Sequence, residues 1–503
     1  MMEIADSHSP GRQWTIRPHR RQLLATLRAA AARSAHLGRA ILASFTRPIP
    51  WCDPLLILIA SKRAGLEPDF FWEQPARHSS LVGIGTATTI VTAGATRFAT
   101  AAATWSSLLR DAIVRQQPER APAAHSAPLL FGGFAFDPSG PHSPLWKNFP
   151  DGLLILPHLL WRSSPAGATL TINHLTQPDD PVEQITDTIC ARIATLSAAV
   201  QELARMPWQT EKVAGPFTIQ EQPAMPAWTE QVAATIAMIR QGAYQKVVLA
   251  RSLQVTAATP TTFDTGIILY RLRHNYPTAA IFALQRGHAC FVGATPERLV
   301  RVQHGRVYTM ALAGSAPRGA TPAADQRLGL ELLRSAKNQK EHAIVVTMLR
   351  EALATLCTSV SVATTPRLLL LKNIQHLATP ITGVLLPGYN LLEIVARLHP
   401  TPAVSGLPLQ AALAAIRANE PLDRGWYAGP IGWIDASGNG EFVVALRSAL
   451  IADTEATLFT GCGLVADSDP QSEYTESCLK LQAMLSGLGL ASTAWDQEME
   501  TDR

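Results

Sequence analysis

The stretch AAIFALQRGHACFVGATPERLVRVQHGRVYTMALA, residues 279–313, decides the fold. It contains four apolar runs with short turns such as His304-Gly305 between them, at 279–284, 289–293, 297–302 and 306–313. Runs of this length, rich in Val, Ile and Phe and bounded by turn residues, are typical of strands joined by hairpins. We therefore predict an antiparallel meander in this part of the chain.

The sequence on both sides of the meander predicts further strands and helices. They are strands at 81–90, 129–136, 153–161, 246–251, 441–453 and 456–465, and helices at 181–206, 229–241, 328–356 and 472–488. The absence of a fixed-period repeat disfavours solenoids and propellers. The expected fold class is α/β of the α+β type, with large mixed, mainly antiparallel β-sheets covered by helices.

Three regions are expected along the chain. Residues 1–50 are a basic N-terminal segment, with eight Arg and no Asp or Glu between Arg12 and Arg47. It is either a solvated basic helix leading into the fold, which we favour, or an organellar targeting segment. Residues 51–210 form an N-terminal half made mainly of strands, and residues 225–490 hold most of the chemistry. A linker is predicted between them, at the prolines Pro207, Pro216, Pro223 and Pro226.

The composition excludes several classes of protein. The chain has 43 Lys plus Arg against 39 Asp plus Glu, a net charge of only +4, so no nucleic-acid partner is expected. Its 6 Cys lack metal-ligand spacing, which argues against zinc and disulfides and indicates a reducing compartment. No apolar run reaches the ~18 residues of a membrane span. We expect a cytoplasmic protein.

Charged residues on two predicted helices are candidates for chemistry. Glu473, Glu476 and Lys480 share one helix face at spacing i, i+3, i+7, and Glu341 precedes His342 on another helix. Carboxylates are the hard oxygen ligands that Mg²⁺ prefers, and an ammonium suits an anionic substrate. The simpler interpretation is an exposed helix with a Glu476–Lys480 ion pair, and a solvated charge run around Glu341.

Two glycines at the end of a predicted strand flank a cysteine, in Gly461-Cys-Gly463. Glycines let backbone N–H groups approach an anion closely, although a tight turn explains them equally well. A thiol nucleophile at Cys462 is the less favoured alternative, because buried cysteines are usually inert.

These fragments resemble, in order, the chorismate-utilising enzymes, a family that includes isochorismate, salicylate, anthranilate and aminodeoxychorismate synthases. The resemblance covers residues 228–488 through seven separated motifs: Lys246-Val-Val-Leu-Ala-Arg, Phe291-Val-Gly-Ala-Thr-Pro-Glu-Arg, Ala311-Leu-Ala-Gly-Ser, Lys337-Asn-Gln-Lys-Glu-His, Leu398-His-Pro-Thr-Pro-Ala, Arg424-Gly-Trp-Tyr-Ala-Gly and Ser468-Asp-Pro-Gln-Ser-Glu. The N-terminal half resembles the long, menaquinone-type members more loosely, through Phe70-Phe-Trp-Glu and Leu130-Phe-Gly-Gly-Phe-Ala-Phe-Asp.

The resemblance implies a set of site residues. Glu341 and Glu476 would coordinate Mg²⁺, with Glu473 acting through bound water, and the metal would hold the ring carboxylate of chorismate. The substrate would contact residues spread over several motifs: Gly314, Ser315, His376, Ala403, Tyr427, Arg447, Gly461, Gly463 and Lys480. For Arg447 the physics agrees, since a guanidinium binds a carboxylate through two hydrogen bonds.

The resemblance also implies the reaction. In water-using members, a Lys at the position of Lys246 is the general base, and Glu297 matches the general acid that protonates the departing C4 hydroxyl. The acid needs a raised pKa, whereas an ion pair with Arg298 or Arg301 would keep it ionised. Ala313 stands where covalent members carry a nucleophilic Lys, which excludes that chemistry here. Ala403 stands where lyase members usually carry Thr, which favours stopping at isochorismate.

The implied activity is that of an isochorismate synthase, a Mg²⁺-dependent isomerase serving menaquinone synthesis or, less favoured, siderophore synthesis. Salicylate synthase is the first alternative, and a catalytically silent chorismate-binding protein is the second. Asn338 departs from the Asp of many relatives, but we expect activity to survive this. The expected partner is chorismate alone, without a glutamine amidotransferase subunit, and the expected assembly is a monomer or homodimer.

Overall fold

A computed structural model of the chain describes residues 19–116, 128–206, 217–258, 262–370 and 374–490. In these ranges the strands are β1 (Ile41–Ile49), β2 (Pro68–Gln74), β3 (Ser79–Thr92), β4 (Ile113–Gln116), β5 (Leu129–Phe134), β6 (Gly152–Ser164), β7 (Gly167–Thr176), β8 (Phe217–Gln222), β9 (Lys246–Ala257), β10 (Ala280–Arg286), β11 (Ala289–Thr295), β12 (Arg298–Gln303), β13 (Arg306–Pro317), β14 (Cys357–Val362), β15 (Arg367–Leu370), β16 (Ile374–Leu385), β17 (Gly406–Leu407), β18 (Pro430–Asp435), β19 (Gly440–Val444), β20 (Ser448–Ala452) and β21 (Glu455–Leu464).

The helices in the same ranges are α1 (Arg20–Leu37), α2 (Pro54–Arg63), α3 (Arg97–Arg110), α4 (Val182–Leu203), α5 (Met225–Arg240), α6 (Thr265–Asn275), α7 (Pro322–Arg334), α8 (Ala336–Ala354), α9 (Leu391–Leu398), α10 (Leu409–Asn419) and α11 (Pro470–Leu488).

The strands join into one sheet that branches at β6, because this long strand pairs with β3, β5 and β7. One arm runs from β3 through β2, β10, β11, β20 and β21 to β9. The other runs from β5 through β18, β19, β12 and β13 to β16. Both arms therefore contain strands from each half of the chain, and the expected mainly antiparallel sheet is confirmed.

Two apolar cores hold the sheet and the helices together. The first contains Phe282 and Phe291 from one arm and Phe131 and Phe442 from the other, all fully buried. The second lies on the outer face, where strands such as β7 and β9 meet α1, α4 and α11. Burial of a side chain of this size contributes about 1.5–3 kcal/mol. Because the first core contains side chains from both arms, their packing holds the two arms together.

The structure corrects three predicted elements. The predicted strand over 441–453 is two strands, β19 and β20, because the chain leaves one arm of the sheet after Val444 and joins the other at Ser448. The predicted helix over 328–356 is two helices, since Ser335 caps α8 by accepting a hydrogen bond from the backbone N–H of Asn338. The predicted linker is wrong for residues 217–222, which form β8 and pair along β9. Pro226 lies in the first turn of α5, a position where its missing N–H costs nothing. The part of the linker at 207–216 lies outside the described residues.

The N-terminal segment contributes to the sheet from residue 41 onward. β1 is almost wholly buried and pairs with β7 and β4, while α1 covers it with Leu23 and Leu27. The arginines of α1 that form ion pairs, such as Arg28 with Glu183, remain at the surface. Residues 1–18 lie outside the described residues, and the targeting alternative stays a prediction. None of the helices in the described ranges is long and apolar enough to cross a membrane.

Candidate active site

A cavity of about 340 Å³ lies where the ends of the two arms meet α8 and α11. All the residues expected to act in catalysis, substrate binding or metal binding line it: Lys246, Glu297, Gly314, Ser315, Glu341, His376, Ala403, Tyr427, Arg447, Gly461, Gly463, Glu473, Glu476 and Lys480. The structure thus brings together side chains that are up to 234 positions apart in the sequence, from Lys246 to Lys480. Their individual roles remain predictions.

Lys246 begins β9 and is held inside the fold, with 7% of its surface exposed. The ammonium donates to Glu341 Oε1 on α8 at 2.6 Å. On the neighbouring strand, a Cβ at Gly463 would lie only 3.0 Å from Lys246 Cε, so glycine makes room for the lysine side chain. Lys246 is therefore a buried lysine with a carboxylate partner and not a surface lysine.

Glu297 lies between β11 and β12 and faces the same cavity. Burial raises the pKa of this carboxyl to about 7, while the positive charges of Lys246 and Lys480 act in the opposite direction. The alternative of an ion pair with a neighbouring arginine is wrong, because Arg298 pairs with Glu441 at 2.6 Å and Arg301 donates to Gln303. A substantial fraction of Glu297 is thus protonated at neutral pH and able to act as an acid.

One arginine of the cavity has the chemistry to bind an anion. Arg447 follows β19 in a left-handed backbone conformation, with φ of 47°. Its guanidinium is half-buried, and burial lowers its pKa. Within the described residues no side chain or carbonyl accepts a hydrogen bond from this guanidinium. A desolvated arginine without a partner is a ready binding site for a carboxylate.

Lys480 adds a second positive charge next to Arg447. It donates to Glu476 at 2.7 Å and to the carbonyl of Gly461 at 2.9 Å, and the Glu476 carboxylate helps to raise its pKa against the effect of burial. The predicted Glu476–Lys480 pair is confirmed, but it lines a cavity rather than an exposed helix face. Because burial holds the pKa of Tyr427 at about 12, that hydroxyl stays protonated and can donate.

His376 faces the same space in its neutral form. Burial, followed by the charges of Arg447 and Lys480, lowers its pKa to about 4. Its Nδ1 lies 2.8 Å from Ser315 Oγ, across the bulge that Gly314 makes in β13 with φ of 78°. A neutral imidazole adds no charge beside Arg447 and Lys480.

The three candidate metal ligands share the cavity, and their chemistry suits a hard divalent cation. Glu341 and Glu476 each hold a lysine, whereas Glu473 forms no ion pair within the described residues. Burial raises the pKa of Glu473, and the negative charge of Glu476 raises it further. A cation bound between the two carboxylates would reduce their mutual repulsion. No three acidic, His or Cys side chains in the described ranges already surround one point. The donor set fits Mg²⁺ only if the lysines move aside.

The surroundings of Cys462 do not suit a nucleophile. It is fully buried, its thiol donates to the carbonyl of Glu473 at 3.1 Å, and burial raises its pKa far above the ordinary value. The small side chains of Ala313 and Ala403 line the cavity at the positions expected from the motifs.

Sequence reasoning missed residues that line or brace the cavity. Lys337 is an exposed cation at its edge. Arg424 is buried with its partner Glu420 and donates at 2.8 Å to the carbonyls of Val248 and Val404. Glu420 in turn accepts at 2.7 Å from the N–H of Ala250, so this ion pair holds β9 close to Lys246. Arg424 is the first residue of one of the quoted motifs, and that position was the sequence signal that could have identified it.

Comparison with known proteins gives consistent results. The family model described as "Chorismate binding enzyme" matches residues 26–489. The chain is 35% identical to "Isochorismate synthase MenF" of Bacillus subtilis (strain 168), over 92% of this chain and 96% of that protein. It is 38% identical to "Salicylate biosynthesis isochorismate synthase" of Pseudomonas aeruginosa, over 93% and 94% respectively.

Solved structures agree with the sequence comparisons. The structure of MenF, described as the menaquinone-specific isochorismate synthase from Escherichia coli, superimposes with a TM-score of 0.73 at 27% identity, covering 92% of this chain and 100% of that one. Anthranilate synthase component I from Streptococcus pneumoniae shares the fold at 20% identity with a TM-score of 0.65. The family match spans nearly the whole described structure, including every residue of the cavity, and the chain belongs to the chorismate-binding enzymes.

Proposed function

We propose that this protein is an isochorismate synthase. The observation that carries the proposal is the meeting of three groups in one cavity: Lys246 as a base, the partly protonated Glu297 as an acid, and the unpartnered guanidinium of Arg447. The names of the relatives from B. subtilis and P. aeruginosa support the same activity.

The reaction needs one proton removed and one supplied. Lys246 takes a proton from the water that attacks C2 of chorismate, the ring double bonds shift, and the C4 hydroxyl leaves as water with the proton of Glu297. Water is consumed and released once, so substrate and product are isomers. Each of these proton transfers contributes typically 10²–10⁴-fold to such reactions.

The remaining polar groups orient the substrate, which carries two carboxylates. Arg447 binds one of them through paired hydrogen bonds, while Lys480 and the Tyr427 hydroxyl are further donors in the same cavity. Ala313 offers no nucleophile, so the ring is attacked by water and not by the protein.

We further propose that the enzyme uses Mg²⁺, held by Glu341 and Glu476 with Glu473 contributing through water. When bound, the ion would neutralise the ring carboxylate of chorismate and fix its position. The chain's part is to release these carboxylates from Lys246 and Lys480, since both ammonium groups hold them in the structure.

Purified protein incubated with chorismate and Mg²⁺ should form isochorismate, followed by liquid chromatography. Lys246→Ala and Glu297→Gln should each lower kcat by about 10²-fold or more. Lys340→Ala and Glu331→Gln are matched controls, because both residues are exposed and neither lines the cavity. No turnover by the unmodified protein would reject the proposal, and wild-type rates in either active-site variant would move that role to another residue.

Salicylate synthase is the runner-up, and free pyruvate among the products would identify it. For the pathway we propose menaquinone synthesis, supported by the coverage of the E. coli MenF structure. The relative named for salicylate biosynthesis supports the alternative. Rescue of a menaquinone-deficient strain lacking its own isochorismate synthase would support the first choice. A cytoplasmic location, a monomer or homodimer, and independence from an amidotransferase stay predictions.

A further inference from the structure

A second cavity, of about 510 Å³, lies in the N-terminal half of the chain. Its walls are the first turns of α4, the strands β3, β6 and β7, and the segment after α2 that contains Leu66 and the exposed Glu67. None of its lining residues lines the active-site cavity. It exists because α4 packs mainly on α1 and α2, which leaves part of the sheet below α4 uncovered. Cavities of about 300–1,000 Å³ with apolar walls and a few converging polar groups are typical ligand sites.

Two histidines stand in this cavity with their rings anchored. His158 Nδ1 lies 3.1 Å from the carbonyl oxygen of Asn173, so Nδ1 carries the proton and donates it. His174 is fixed in the same way by Asp180, at 3.1 Å from Nε2. The rings stack with centroids 6.1 Å apart. Such anchoring sets the orientation of each ring before any ligand arrives.

The free edge of His158 offers a hydrogen-bond acceptor. Burial lowers the pKa of His158, and the charges of His174 and Arg192 add to this, whereas the hydrogen bond to the Asn173 carbonyl acts in the opposite direction. The pKa therefore lies below the ordinary value of 6.5, and the neutral ring predominates at pH 7. In this tautomer Nε2 carries a lone pair, and no donor within the described part of the chain satisfies it. A hydroxyl group is the complementary partner.

The remaining lining residues define the rest of a ligand. Ile84, Ile172 and Ile189 supply apolar walls on three different elements. Arg192 is exposed at the edge, two turns along α4 from Gln184, and makes no ion pair within the described ranges. Arg192 and His158 line the same cavity from α4 and β6, so a small molecule held there faces both groups.

We propose that this cavity is a second binding site, for a small aromatic hydroxy acid. The ring packs between the isoleucines, the hydroxyl donates to His158 Nε2, and the carboxylate pairs with Arg192. The site is independent of the proposed reaction, because no active-site residue contributes to it.

Isothermal titration with 2-hydroxybenzoate tests the proposal on the full chain, with benzoate and phenol as matched probes. Because the guanidinium of Arg447 is a second candidate partner for the carboxylate of the probe, titration is repeated in Arg447→Ala, which removes that guanidinium and leaves the second cavity intact. Arg192→Gln and His158→Phe remove the two polar contacts, and Thr188→Trp fills the mouth from an exposed position on α4. Arg205→Gln, an exposed change just beyond the end of α4, is the control.

We expect 2-hydroxybenzoate to bind at one equivalent in the unmodified protein, in Arg447→Ala and in Arg205→Gln. Affinity should fall at least tenfold in Arg192→Gln and His158→Phe and vanish in Thr188→Trp, while chorismate turnover stays within twofold in these three variants. Benzoate and phenol should each bind at least fivefold more weakly. No binding, loss of binding in Arg447→Ala, or affinity unchanged in the cavity variants would overturn the site. Equal binding of the three probes would overturn the ligand class.

Discussion

Glu297→Gln should lower kcat by about 10²-fold or more and, at alkaline pH, make the protein more stable. The carboxyl forms no side-chain hydrogen bond within the described residues, and burial raises its pKa from 4.5 to about 7. Its ionised form is therefore unfavourable in the folded protein. Glutamine has nearly the same shape and no charge, so it removes this cost together with the catalytic proton.

The size of the effect follows from the pKa. One pKa unit corresponds to about 1.4 kcal/mol, so full conversion of the change from 4.5 to about 7 would give about 3 kcal/mol. Glu297 is partly exposed to the cavity, which screens the charge and reduces our expectation to about 1–2 kcal/mol. The folded state holds the proton more tightly, so the cost is absent below pH 4.5, grows as pH rises towards 7 and is constant above it.

Unfolding of both proteins, followed by differential scanning fluorimetry at pH 5 and pH 8, measures this difference. The excess Tm of Glu297→Gln should be larger at pH 8 than at pH 5. Glu441→Gln is the contrasting control, because it breaks the 2.6 Å pair with Arg298 and should lower Tm. A Tm for Glu297→Gln below that of the unmodified protein at pH 8 would refute the idea of a carboxyl destabilised by burial.

Further expectations concern pH, substrate binding, the base and the metal. The rate kcat/KM should fall as pH rises through about 7, since the acid Glu297 loses its proton there, and a rate that keeps rising to pH 9 would contradict this. Arg447→Ala should lower kcat/KM about 10–100-fold, and Arg447→Lys should recover part of the loss. The fold should not change, because the substitution leaves no hydrogen-bond partner unpaired within the described structure. Gly463→Ala should lower kcat and change KM less, because the added Cβ would lie 3.0 Å from Lys246 Cε and displace the lysine side chain. An unchanged kcat would mean that the lysine is free to move. Mg²⁺ should raise the Tm of the chelator-treated protein but not that of Glu476→Gln, and equal shifts would place the ion elsewhere.

The residues named from the motifs line one cavity because each motif is a short segment at the end of a strand or on one face of a helix. Lys246 and Gly463 lie close together because β9 pairs with β21, and this proximity follows once the two strands are recognised as partners. The face of α11 that carries Glu476 and Lys480 follows from helical spacing alone.

The pairings inside the site between residues far apart in the sequence were beyond prediction. The contact between Lys246 and Glu341 joins residues 95 positions apart and depends on how α8 packs against β13. Local pattern gave no signal for β8, whose strand character comes from pairing with β9, or for the helix break at Ser335. The second cavity is likewise a product of helix packing, which spacing along α4 does not reveal.

The most direct test of the central claim is the fate of solvent oxygen. Chorismate turned over in water enriched in ¹⁸O should give isochorismate with one labelled oxygen, at the C2 hydroxyl, as measured by mass spectrometry and by the isotope shift of the C2 carbon signal. Unlabelled isochorismate would show that the C4 hydroxyl itself is transferred, and would contradict attack by a water molecule that Lys246 activates.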